Sequence, residues 1–74
     1  MPKLPAVSGK KLIRALERGG FVRMRQSGSH VLLQQPDGRV VVIPVHGEQT
    51  IPKGTLGAIL RDIGISGDEL RAML

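Results

Sequence analysis

Seventy-four residues hold one domain with one modest core, and a cleft deep enough to enclose a small molecule would compete with that core for side chains. With no cysteine and one aromatic residue, Phe21, the chain has no disulfide framework, no zinc-finger site and no stacking platform of the kind that holds single-stranded bases. Its 11 basic residues exceed its 6 acidic ones, and unevenly: Met1 to His30 carries seven basic residues against Glu17 alone, Val31 to Leu74 four against five. The first half is therefore the side expected to face a polyanion, through backbone and shape rather than bases; a merely solvated basic face is the plainer alternative. Two histidines and scattered carboxylates make a poor metal cage, so neither a metal nor a small-molecule cofactor is expected. Met1-Pro2-Lys3-Leu4-Pro5 lacks the apolar run of a secretory signal, and no stretch approaches the roughly 20 apolar residues of a membrane span. A cytoplasmic location with no membrane partner is the expectation.

Ser8 is placed to cap a helix from Gly9 to Arg18, with Leu12, Ile13 and Leu16 as an apolar stripe and Lys10, Lys11, Arg14 and Arg18 on the remaining surface. Gly19-Gly20 stops it. From Phe21 the period changes to two, with Val22 and Met24 alternating with Arg23 and Arg25; Ser27-Gly28 then reads as a turn into His30 to Gln35. Pro36-Asp37-Gly38 is the next turn, and Val40 to Val45 the third strand. Pro52 stands where a second helix can begin, and Leu56, Ile59, Leu60 and Ile63 give it one apolar face, with Gly64 at its end. Ser66 and Glu69 have capping-box spacing, which predicts a short last helix from Gly67 to the carboxyl end. The expected fold is α+β: helix, three antiparallel strands, helix, short helix, in one domain over residues 1–74.

Pairing outward from the turns gives a register. If Gln26 pairs with Ser29, Met24 lies opposite Val31 and Val22 opposite Leu33; if Gln35 pairs with Arg39, Leu33 lies opposite Val41 and Val31 opposite Ile43. All of these are apolar and form a face for the two main helices. The same register sets Arg25 opposite His30 on the other face, with Arg23 along its strand, Pro44 across the next ladder and His46 diagonal from His30. That face carries Leu32, Val40 and Val42 at its far end, which suggests a protein partner or the ordinary exposure of some valines on an open sheet.

A neutral histidine beside a 2′-hydroxyl can remove its proton and so direct that oxygen onto the adjacent phosphate; a protonated one can supply a proton to the departing 5′-oxygen. In the turn Gly28-Ser29-His30, small residues let a phosphate approach, and His30 is the candidate catalyst. Arg25 and Arg23 are candidates for stabilising charge on the phosphate oxygens, and Lys53, at the start of the second helix, for a further phosphate contact. Each has a plain alternative. A histidine opening a strand is commonly an ordinary half-exposed residue, His46 can be a loop residue before Gly47, and Arg23 and Arg25 can be the solvated face of an edge strand.

Gly19-Gly20-Phe21 before the first strand, Gly28-Ser29-His30 between the first two, and Ile51-Pro52-Lys53-Gly54-Thr55-Leu56 leading into Ile59-Leu60 and Gly64 together resemble the HicA-type (YcfA-like) messenger-RNA interferase toxins, over nearly the whole chain. The resemblance implies a fold like a double-stranded-RNA-binding domain, with three antiparallel strands and helices on one face. It also implies a metal-independent endoribonuclease acting on mRNA, restrained by a HicB-type antitoxin, with the family's catalytic histidine falling on His30. Gly28, Ser29 and His46, with Arg23, Arg25 and Lys53, are the expected RNA contacts. Where many relatives carry a second histidine or an aromatic residue just after the catalytic one, this chain reads Val31-Leu32-Leu33, so its substrate contacts are expected to differ. Three rivals stand beside this reading: a non-catalytic RNA-binding domain of the same fold, a scaffold that only binds an antitoxin, and a helix-turn-helix DNA reader built on the last two helices. The last is opposed by Asp68 and Glu69 at the start of its recognition helix, which would repel phosphate.

Overall fold

A computed structural model describes residues 4–74; residues 1–3, which fall within the expected 1–74 domain and the amino-terminal stretch read above, lie outside the described residues. The elements run α1 (Gly9–Arg18), β1 (Val22–Ser27), β2 (His30–Gln34), β3 (Val40–Pro44), α2 (Lys53–Ile63) and α3 (Gly67–Met73). The strands form one antiparallel meander in the order β1-β2-β3, so the α+β expectation holds. Among the described residues no helix is long and apolar enough to cross a membrane.

Capping chemistry sets the helix starts. Ser8 is extended and its Oγ accepts from the Lys11 backbone N–H at 3.2 Å, while Ser66 and Glu69 complete a reciprocal capping box on α3. α2 begins behind Pro52 with no side-chain cap and ends at Gly64 in the left-handed region. Leu12, Ile13, Ala15 and Leu16 of α1 and Leu56, Ile59, Leu60 and Ile63 of α2 are buried against Val31, Leu33, Val41 and Ile43 of the sheet, with Phe21 and Leu70 closing the core. The segments leading into α1 and α2 are tied together as well, by a bridge between Ser8 and Thr50 and by the Ile51 N–H donating to the Val7 carbonyl at 2.8 Å.

The β2–β3 register is the expected one: Leu33 pairs with Val41, Val31 with Ile43 and His30 with Pro44, and the Gln35 N–H donates to the Arg39 carbonyl at 2.8 Å. The β1–β2 register is not. Ser27 pairs with His30, Gln26 with Val31 and Arg25 with Leu32; the ladder then slips one residue and resumes with Arg23 opposite Leu33 and Val22 opposite Gln34. The two-residue turn is thus Gly28-Ser29 rather than Ser27-Gly28, because only glycine accepts the positive φ of 58° at its first central position. Val22 and Met24, expected in the core, are 53% and 54% exposed.

Candidate functional site

The slip at Met24 is a β-bulge, and it decides which side chains share a face. Arg23, opposite the buried Leu33, is turned to the helix side, where it meets Glu17 of α1 at 3.7 Å. Arg25, opposite Leu32, stays on the outer side with His30. The expectation that Arg25 stands directly opposite His30 is therefore corrected: Ser27 occupies that place, and Arg25 lies one pair further along the same face, a diagonal that spans about 7–8 Å between backbones. Arg23 does not accompany it.

His30 opens β2, is exposed, and is flanked by Ser27 on one side and Pro44 on the other. Its position is fixed through the backbone. The carbonyl of Ser29 accepts from the Val45 N–H at 2.6 Å, which carries the β2–β3 ladder past the end of β3 and holds the turn against the third strand. On the other flank the Gln26 amide donates to the Gly28 carbonyl at 3.1 Å. Among the described residues, its two chain neighbours aside, no atom lies within 4 Å of where a Gly28 Cβ would stand, so the turn beside the imidazole is open.

His46 lies two residues past the cross-strand partner of His30, outside β3 and exposed. With Pro44, Gln49, Thr50, Ile51, Pro52 and Thr55 it lines an open hollow of about 600 Å³. Pro44 therefore borders both His30 and this hollow, which reaches the first turn of α2. Lys53 is the first residue of that helix and is exposed; the uncapped amides behind Pro52 give the helix start a partial positive charge. Among the described residues no three His, Asp or Glu side chains gather as a metal site.

One structural residue escaped the sequence reading. A Cβ on Gly9 would stand 2.2 Å from the Pro44 carbonyl oxygen, so α1 starts in backbone contact with the end of β3, level with His30. A glycine at the first helical position, where it is a poor helix former, was the available signal.

These features sit inside a stretch that can be compared with known proteins. Residues 9–65 match the family model described as the HicA toxin of bacterial toxin-antitoxin systems. The chain belongs to the HicA toxin family. Among curated proteins, comparison finds no match. The matched span runs from the Gly9 contact to the residue after the Gly64 cap, so it contains every element of the HicA domain except α3. All three sequence blocks that carried the resemblance lie within it. As a toxin of a toxin-antitoxin pair, this HicA chain implies a cognate antitoxin.

Proposed function

We propose that this HicA toxin is an endoribonuclease that cleaves mRNA, with His30 as its general acid/base, and that a HicB-type antitoxin holds it inactive in the cytoplasm. The observation that carries the reading is the setting of His30: an exposed imidazole on the outer sheet face, held by its own backbone ladder, beside an open glycine turn and one pair away from Arg25. Arg25, and the backbone of Gly28 and Ser29, bind the phosphate whose linkage is cut. Arg25 offsets the charge that grows on the phosphate oxygens in the transition state. His46 and Lys53, on the far side of Pro44, contact the strand beyond it.

His30 takes the proton of a 2′-hydroxyl, the 2′-oxygen forms its bond to phosphorus, and the bond from phosphorus to the 5′-oxygen breaks. The 5′-oxygen leaves with a proton returned from the imidazolium or supplied by His46. The products are a 2′,3′-cyclic phosphate and a free 5′-hydroxyl, and the step needs no metal or other cofactor. Purified protein incubated with RNA in chelator provides the test. Cleavage that disappears in His30→Ala supports the reading; cleavage retained by that variant in a clean preparation removes His30 from the mechanism. A non-catalytic RNA-binding role is favoured by one observation: the cations Lys10, Lys11, Arg14 and Arg18 sit on α1 rather than around His30. On that reading wild-type protein binds the RNA and leaves it intact.

A further inference from the structure

Away from the His30 face, basic charge gathers between α1 and β1. A hollow of about 260 Å³ there is lined by Lys10, Ile13, Arg14, Arg23, Val31 and Val45. Ile13 and Val31 are buried and form an apolar floor, and the three cations stand around it. Arg23 reaches this side only because of the bulge at Met24. The opposing carboxylates are few and loosely held: Glu17 lies 3.7 Å from Arg23, and Lys10 lies 3.7 Å from Glu48, whose side chain is 88% exposed. Ion pairs of that kind contribute little and leave the cations free to exchange partners. Among the described residues Arg14 is in no ion pair. Lys10 stands in the first turn of α1, where a cation opposes the helix dipole, so helix stability does not account for it.

We propose that this hollow is a second backbone-phosphate site, holding the RNA strand on the helix side of β1 while the linkage to be cut lies at His30 on the outer side. The inference rests on the reading that the chain acts on RNA. Arg23 and Arg25 straddle one bulge on an edge strand, and Val31 of the hollow directly follows His30. A single strand bending round the open edge of β1 therefore meets both sites in succession. Two guanidinium forks and an ammonium suit phosphate oxygens, and no aromatic ring lines the hollow to stack a base, so the contact is to backbone and independent of sequence.

The test is a titration of the full chain with a fluorescent single-stranded RNA made uncleavable by 2′-O-methyl groups, repeated across salt concentrations. The double variant Lys10→Gln/Arg14→Gln is expected to bind about tenfold more weakly at low salt, and its log K against log salt slope to flatten by about 1.4, roughly 0.7 for each phosphate no longer neutralised. Arg61→Gln, an exposed cation of α2, should match wild type in both. If the double variant loses its native circular dichroism spectrum, the single variant Arg14→Gln decides, with an expected flattening of about 0.7. Unchanged affinity and slope in a folded variant overturn the proposal, as does loss of antitoxin binding with RNA affinity intact. If the double variant is weakened as expected while His30→Ala still cleaves RNA, the catalytic assignment fails and the hollow stands. If wild type does not bind the RNA, both fail.

Discussion

Two glycines near His30 are required for opposite reasons, and substitution separates them. Gly28 has space around it but a φ of 58°, so an alanine there meets backbone strain alone, about 1–2 kcal/mol. Gly9 has an ordinary helical backbone but no space: an added methyl meets the Pro44 carbonyl oxygen, and α1 must move off the end of β3. Gly9→Ala is expected to cost about 2–3 kcal/mol, in the range of core overpacking. Urea denaturation of both variants checks the order, and a Gly9→Ala midpoint at or above that of Gly28→Ala contradicts it. Gly9→Ala should also loosen the turn carrying His30, because Val45, which holds Ser29, is the residue next to Pro44.

At the level of elements, Arg39 joins more of the fold than any other charged side chain among the described residues. It sits just before β3, where its guanidinium bonds Asp37 at 2.9 Å, donates to the Ile63 carbonyl at the end of α2, and lies 5.6 Å above the centre of the Phe21 ring ahead of β1. Three segments far apart in sequence meet on one planar fork. Arg39→Ala should cost about 1–2 kcal/mol, as expected for hydrogen bonds to a charged group that is partly exposed. Arg39→Lys should recover less than half of that, since an ammonium cannot make the forked contacts together; thermal denaturation of the two variants is the measurement. Local features of this kind also mark how far the sequence could be read. Ser8, Gly64 and the Ser66–Glu69 pair gave the helix ends because capping needs particular side chains at fixed spacing, and the Gln35–Arg39 turn gave the β2–β3 register. The clean alternation of Val22-Arg23-Met24-Arg25 predicts an unbroken ladder for β1, because a bulge leaves no mark in alternation. Beneath an edge strand the core supplies little to enforce the pattern: the helices pack against β3, and every residue of β1 is exposed. Alternation alone therefore sets Arg23 on the outer face, which the bulge reverses, whereas the pairing of His30 with Pro44 follows from the ladder that the Gln35–Arg39 turn determines.

Over the whole molecule, the core lies on one face of the sheet and the proposed catalytic histidine on the other. The inner face and the helices hold the core, and His30 contributes nothing to it. A domain of this size has only a few kcal/mol of stability in hand, so loss of toxicity in a cell can arise from unfolding as readily as from lost chemistry. The two causes separate when stability and activity are read together. Ile43 is fully buried near the end of β3, and Ile43→Ala is expected to cost about 2–5 kcal/mol, lowering the melting temperature by at least about 8 °C. Its RNA cleavage, where folded protein remains, should persist in proportion to the folded fraction. His30→Ala changes an exposed side chain and should shift stability by no more than about 0.5 kcal/mol while abolishing cleavage. Melting curves and cleavage assays on the same two preparations therefore decide between structural and catalytic roles: a His30→Ala protein that melts as far below wild type as Ile43→Ala would make His30 a structural residue, and its loss of activity would then carry no information about mechanism.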